Sequence, residues 1–346
     1  MKIPFVNLGL QYLNLKEEII DKFDQISQKG EYILGSELEK FEYEFSKFCG
    51  TKYSVGLGNG SDGLTFSLLY FNIKAGDEVL IPVNSFVATA WTVANVGAKP
   101  VFIDVGDNYN IDVKLIQSKI NKNTKAIIPV HLTGNISDME EILTIAKKNN
   151  LKIIEDAAQA VGAKYNKKKA GSFGDVGSFS LHPLKNLHVN GDGGVVTTNN
   201  KRIYNFMKKI RNHGLKNRDE LDFWGYNSRL DNIQAAIARI KLKHINKWNS
   251  RFRKIAKYYS NELKNIVKVP QISKQSIPIF HRYIIQTNKR DKLKNFLLQK
   301  GIETKVNYPI PLHLHKASRY LKYKKGDFPI SEHQSKQILS LPIYNE

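Results

Sequence analysis

Lys185 stands among residues whose types and spacing suit carbonyl chemistry. It closes the run Ser178-Phe179-Ser180-Leu181-His182-Pro183-Leu184-Lys185, five residues after Ser180. An apolar stretch upstream stops on acids, Ile153-Ile154-Glu155-Asp156-Ala157-Ala158-Gln159, and Gly191-Asp192-Gly193-Gly194 follows downstream. A lysine amine can hold an aldehyde as a Schiff base. A carboxylate paired with a pyridinium nitrogen keeps such a ring an electron sink. A serine hydroxyl can bind a phosphate. An acid at a strand end, a lysine on a later turn and a serine five residues before it together point to a pyridoxal phosphate site. Each is common alone, and the three in register are not.

The segment Gly58-Asn59-Gly60-Ser61-Asp62-Gly63-Leu64 is a glycine-rich turn that opens a helix. Backbone N–H groups at a helix start bind phosphate, and glycine lets the anion approach closely. The same residues also suit a plain turn with Ser61 as the helix cap. They match neither the dinucleotide fingerprint nor the P-loop. Glu155 competes with Asp156 for the cofactor role. Strand neighbours face opposite ways, so only one of the two can point at a ring. Asp156 alone also suits a helix cap or a surface turn. Phe86, in Asn84-Ser85-Phe86-Val87-Ala88, can stack on an aromatic ring or fill the core. His182, His188 and His213 lack the Cys/His/acid spacing of a metal site, so no metal is expected.

These groups need a scaffold. Glu78 to Pro82, Pro100 to Val105, Ala126 to Val130 and Leu151 to Ile154 read as short buried strands. Between them lie a helix-like Ala88 to Val96 and a helix opened by the capping box Ser137-Asp138-Met139-Glu140, running to about Asn149. The alternation predicts an α/β protein with a mainly parallel sheet covered by helices. Ligands of such sheets bind beyond the carboxyl ends of the strands. Asp156 and Gln159 fall beyond one such end and His131 beyond another. A long helical stretch from Asp231 to Leu263 leads to a strand-like Tyr283-Ile284-Ile285 and a helix-like Asp291 to Lys300. A boundary near residue 240 is expected, dividing a large domain, 1–240, from a small one, 241–346. The N-terminal helix, about Lys16 to Lys29 within the first 30 residues, is expected to pack near the small domain.

Composition narrows the classes. The chain has 346 residues, with 41% hydrophobic and 10% aromatic content, which suits a globular core. It has no apolar run long enough to span a membrane. The start, Met1-Lys2-Ile3-Pro4-Phe5, lacks the apolar core of a secretory signal. Cys49 is the single cysteine, so no intrachain disulfide forms and a cytoplasmic location is expected. Its role is that of a small buried hydrophobe rather than a nucleophile. The net charge is +21. The first arginine is Arg202, and before it the basic charge is lysine scattered along helices and turns. No block of five or more consecutive basic residues and no aromatic–basic motif occurs, so a nucleic-acid role is not expected. Local positive charge fits a phosphorylated or nucleotide-linked substrate better.

Several segments resemble, in order, signatures of the DegT-like sugar aminotransferases. They are Asn59-Gly60-Ser61-Asp62-Gly63-Leu64, Glu155-Asp156-Ala157-Ala158-Gln159-Ala160, Ser178-Phe179-Ser180-Leu181-His182-Pro183-Leu184-Lys185-Asn186, Gly191-Asp192-Gly193-Gly194 and Gly225-Tyr226-Asn227-Ser228-Arg229. The likeness continues to Asn307-Tyr308-Pro309-Ile310-Pro311-Leu312-His313. It implies fold type I of the pyridoxal phosphate enzymes: a mainly parallel seven-stranded sheet in a large domain, plus a smaller C-terminal α/β domain. It implies an aminotransferase moving an amine from an amino acid, L-glutamate, to a keto-sugar. The sugar is expected to be a nucleotide-linked 3- or 4-keto-deoxysugar, in amino-sugar synthesis for a surface polysaccharide or glycoconjugate.

The resemblance also implies roles. Lys185 would carry the cofactor and shuttle protons, with Asp156 on the pyridine nitrogen and Gln159 near the 3-hydroxyl. Phe86 would lie on the ring, and Gly60, Ser61, Asp62 and Ser180 would hold the phosphate. Asn227 would reach the phosphate of the neighbouring subunit's cofactor, which requires a homodimer. Tyr308 and His313 fall where the family contacts the sugar nucleotide. His182, Asn186, Arg211 and Arg229 are further substrate candidates. Two departures stand out. Leu187-His188-Val189-Asn190-Gly191-Asp192 is bulkier and more polar than the small-residue versions of the family. The chain closes at Tyr344-Asn345-Glu346, where relatives continue with a final helix. Sugar dehydratases of the same fold carry histidine in place of the lysine, so Lys185 argues against dehydration. A non-catalytic regulatory relative is the other alternative.

Overall fold

The computed structural model describes residues 2–345. Seven strands form the main sheet: β1 (Tyr53–Leu57), β2 (Glu78–Pro82), β3 (Lys99–Ile103), β4 (Thr124–Ile127), β5 (Lys152–Asp156), β6 (Val176–Ser180) and β7 (Gly194–Thr198). Their order across the sheet is β1-β7-β6-β5-β4-β2-β3. β7 runs antiparallel to both its neighbours, and every other pairing is parallel.

Helices cover both faces, which is why the strands are apolar throughout. Alternate residues feed two separate cores. Leu80, Ile103, Ile127, Ile153 and Phe179 enter one. Val79, Ile81, Phe102, Ala126 and Ile154 enter the other, under Leu64, Leu68 and Val93 of the helices Gly60–Tyr70 and Val87–Asn95. This alternation sends Glu155 and Asp156 to opposite faces.

The capping box expected at Ser137 lies one residue off. Asp138 caps the helix Met139–Lys148 by accepting from Glu141 N at 3.5 Å. Ser137 is turned inward, donating its hydroxyl to Val130 O at 3.0 Å. Likewise Asn59, not Ser61, caps the helix Gly60–Tyr70.

Residue 240 falls inside one continuous helix, Asn232–Leu263. Ile237 and Ile240 in its first half pack on Leu15 and Ile19 of the N-terminal helix, Leu8–Lys29. That helix begins earlier than expected because Asn7 caps it, accepting from Leu10 N at 3.2 Å. Further along, Phe252 and Ala256 join Tyr283, Ile285, Leu339 and Leu341 in a distinct core. These last residues belong to β8 (Tyr283–Gln286) and β9 (Ile338–Leu341), which pair antiparallel. The long helix therefore joins the sheet-bearing portion to the C-terminal portion. The chain start also reaches that portion: Ile3 N donates to Gly301 O at 2.8 Å, and Glu303 N donates to Ile3 O at 3.0 Å. Among the described residues, no helix is long and apolar enough to cross a membrane. Cys49 is buried.

Candidate active site

A cavity of about 340 Å³ opens beyond the carboxyl ends of β5 and β6. Its walls include Gly60, Ser61, Phe86, Asp156, Gln159, Ser180, His182, Lys185 and Tyr308. Residues far apart in sequence meet there because parallel strands end on the same side of a sheet.

Strand alternation decides between the two acids. Glu155 is fully buried on the face away from the cavity. It accepts N–H bonds from Gly171 (2.7 Å), Phe173 (2.7 Å) and Gly174 (2.8 Å), and bonds to His131 Nε2 at 2.9 Å. Those four partners saturate it and fix the loop that precedes β6. His131, expected beyond a strand end, is consumed in this network. Asp156 faces the cavity. Thr89 donates its hydroxyl to Asp156 Oδ2 at 2.7 Å, and Ala158 N donates to Oδ1 at 3.2 Å. Ser85 lies 2.7 Å from the Thr89 hydroxyl and extends the chain. The carboxyl group is therefore oriented and hydrogen-bonded by protein donors, which a polar group at 7% exposure needs.

Lys185 is half-buried at the cavity wall. Among the described residues nothing accepts a hydrogen bond from its amine. Burial pushes its pKa down from 10.5 to about 8; the Asp156 charge opposes that shift and the Arg282 charge adds to it. A lysine so placed supplies neutral amine near physiological pH, which an ordinary lysine does not.

The glycine-rich turn packs on the end of β6. A Cβ on Gly60 would sit 3.0 Å from Ser180 Cα and 3.1 Å from Phe179 O, so only glycine leaves the two segments undisturbed. Asn59 accepts from Asp62 N at 2.8 Å, which leaves the N–H groups of Gly60 and Ser61 without a partner inside the helix. These donors and the Ser180 hydroxyl share one corner of the cavity, a suitable cradle for an anion. Asp62 is absent from the lining. Its carboxylate accepts from Asn59 Nδ2 (2.9 Å) and the Ser228 hydroxyl (2.6 Å), so it braces the turn rather than facing a phosphate.

Phe86 is 53% exposed and stands at the rim instead of filling the core, 6.0 Å from the Tyr308 ring. Gln159 accepts from Thr133 N at 2.9 Å and donates to the Tyr308 hydroxyl at 3.5 Å. Burial pushes the Tyr308 phenol up to about 12, so it stays protonated. His182 lines the cavity, and its Nδ1 accepts from Leu184 N at 3.2 Å.

The remaining candidates lie elsewhere. Arg211 is 4% exposed, pairs with Glu42 and donates to Gly56 O at 2.8 Å. It is a strut inside the protein, and its expected substrate role fails on burial. His313, at 3% exposure, bonds to Glu332 at 3.0 Å and packs on Phe328. Asn186 is buried and donates to Val161 O (2.9 Å) and Asn249 Oδ1 (3.2 Å), behind the lysine turn. Arg229 donates to Asn212 at 3.0 Å. Asn227 is exposed on the same segment and pairs with Asn212 across a short bridge, away from this cavity. Sequence reasoning missed Thr89, His281 and Arg282. Thr89 had no signal beyond its place two residues into the helix that follows β2. The adjacent basic pair before β8 had none until the C-terminal portion was placed against the sheet.

The donors present fit pyridoxal phosphate: an amine for its aldehyde, a fixed carboxylate for its ring nitrogen, and a helix start with a serine for its phosphate. The fold and this cavity define a pyridoxal phosphate-dependent transferase of fold type I. Residues 13–346 match the DegT/DnrJ/EryC1/StrS aminotransferase family, and the chain belongs to it. It is 41% identical to a "Pleiotropic regulatory protein" of Geobacillus stearothermophilus, over 100% of this chain and 94% of that one. It is equally 41% identical to dTDP-3-amino-3,6-dideoxy-alpha-D-galactopyranose transaminase of Aneurinibacillus thermoaerophilus, over 99% and 94%. Among solved structures, DesV of S. venezuelae in complex with a ketimine intermediate superposes with TM-score 0.98 at 36% identity, covering 100% of this chain and 94% of that one. The ntda protein of Bacillus subtilis, with bound cofactor pmp, gives TM-score 0.91 at 30% identity, over 99% and 81%.

Proposed function

We propose that the protein transfers the amine of L-glutamate to the ketone of a nucleotide-linked keto-deoxysugar, working as a cytoplasmic homodimer. The observation that carries this reading is the Lys185 amine and the braced Asp156 carboxylate on one cavity wall. The dTDP-sugar name of the Aneurinibacillus relative supports a nucleotide-linked substrate. A product of this kind suits surface polysaccharide or glycoconjugate synthesis.

Bound pyridoxal phosphate supplies an electron sink for negative charge at the substrate carbon. Asp156 holds the proton on the ring nitrogen. Lys185, with its pKa near 8, would take the proton from the donor α-carbon and deliver it to the cofactor's aldehyde carbon. When the ketone is aminated, the same amine moves protons in the opposite sense. Gly60, Ser61 and Ser180 hold the phosphate, and Gln159 hydrogen-bonds the ring's 3-hydroxyl. Phe86 and the neutral Tyr308 crowd the cavity rim and limit water. Asn227, exposed at the molecular edge, reaches the phosphate bound by the neighbouring subunit, so each site needs the dimer.

The test is the visible spectrum of protein loaded with pyridoxal phosphate, before and after L-glutamate. A band that bleaches with glutamate and returns with a nucleotide-linked keto-sugar supports the reading. Lys185→Ala should abolish turnover, and full activity in that variant sinks the assignment. No band at all would favour a regulatory role of the kind the Geobacillus relative's name states.

A further inference from the structure

Besides Lys185, Arg282 is the one lysine or arginine among the described residues that line the cavity. It lies just before β8, in the C-terminal portion, and is half-buried. Among the described residues no carboxylate pairs with it and no acceptor takes its N–H groups. Its guanidinium carbon lies 4.8 Å from the centre of the Phe5 ring, a contact that leaves its charge in place. Burial lowers its pKa, and its charge depresses both His281 and Lys185. A half-buried guanidinium without a protein partner is partly desolvated, and an anion relieves that cost.

Geometry narrows that anion. Lys185 must reach the α-carbon of the amino donor, so the donor's α-carboxylate lies one bond from the carbon that Lys185 addresses. The neighbouring wall therefore needs a cation, and Arg282 is the one that the described residues of this chain place in the lining. Of the two arginines that the sequence offered for anionic groups, Arg211 is spent on Glu42 and Arg229 donates to Asn212, and neither lines the cavity. An arginine fork binds a carboxylate with two parallel hydrogen bonds and so fixes orientation as well as position.

We infer that Arg282 anchors the α-carboxylate of the amino-acid donor. The inference rests on the aminotransferase reading above and names the donor contact within it. Holding the carboxylate in the Arg282 fork fixes the direction of the donor's α-hydrogen relative to Lys185. It also favours α-amino acids over simple amines.

The test titrates cofactor-loaded protein and follows the visible band. One probe is α-methyl-L-glutamate, which keeps both carboxylates but has no α-hydrogen to transfer. The other is 4-aminobutanoate, which keeps the amine and distal carboxylate but lacks the α-carboxylate. Arg282→Met should weaken α-methyl-L-glutamate about 10- to 100-fold, the range for losing one charge-assisted bidentate contact, and leave 4-aminobutanoate unchanged. Arg282→Lys, which keeps the charge without the fork, should fall between. The cofactor band and thermal midpoint of each variant report folding independently. Unchanged affinity for α-methyl-L-glutamate, or equal losses for both probes, overturns the inference. So does a loss confined to the keto-sugar nucleotide, which would give Arg282 to that substrate's phosphates. A missing cofactor band in the unaltered protein removes the aminotransferase reading instead.

Discussion

Replacing Lys185 by methionine should stabilise the cofactor-free protein while abolishing its chemistry. The unfolded chain holds the lysine proton with the ordinary pKa of 10.5, and the folded protein holds it only to about 8. Below pH 8 both states keep the proton, and the folded state bears the cost of a charged amine in a desolvated wall. Between 8 and 10.5 the unfolded state binds more protons, so stability rises with pH. Above 10.5 the amine is neutral in both states and the cost is gone. At about 1.4 kcal/mol per pKa unit, the gap corresponds to about 3 kcal/mol. With an unfolding entropy of about 2.1 cal/mol/K per residue, 346 residues translate this into about 4 °C of melting temperature. Lys185→Met should therefore melt about 4 °C above the unaltered apoprotein at pH 7, and its advantage should shrink as pH climbs from 8 to 10.5. Thermal melts of both proteins at matched ionic strength read this directly. A pH-independent difference, or a variant less stable at pH 7, would refute the claim that burial dominates the lysine's environment.

Two further substitutions separate the cavity from its supports. Thr89→Val removes the hydroxyl that donates to Asp156 Oδ2 at 2.7 Å. It should weaken pyridoxal phosphate binding about tenfold, read by titrating the apoprotein with cofactor; unaltered affinity would release Thr89 from the site. Arg211→Met leaves Glu42 buried without its cation. It should cost about 3 kcal/mol of stability and leave the KM for both substrates unchanged, measured by denaturant unfolding and steady-state kinetics. A raised KM with normal stability would restore the substrate role that its burial denies.

Much of the site was legible because its parts are local. The Ser180-to-Lys185 spacing lies on a single strand end and turn, and the acid ends the apolar run of a neighbouring strand. The alternation of buried strands with helices marked a parallel sheet because such strands are apolar on both faces. Local competition was harder to read. Asp138, rather than Ser137, takes the helix cap, because Ser137 is needed inside for Val130.

By itself the sequence determined the chemical kit: an amine, a carboxylate and a hydroxyl in register, and the class of sheet that presents them. Only the tertiary structure decided which polar groups are available. Glu155 and Asp156 are neighbours of similar acidity, yet one is saturated by the Gly171–Gly174 turn and the other faces the cavity. Arg211 and Arg282 carry the same group, yet one meets Glu42 inside the protein and the other lines the cavity with no carboxylate partner among the described residues. Those outcomes depend on long-range packing, because whether a charge is spent or free is set by partners that chain proximity does not reveal.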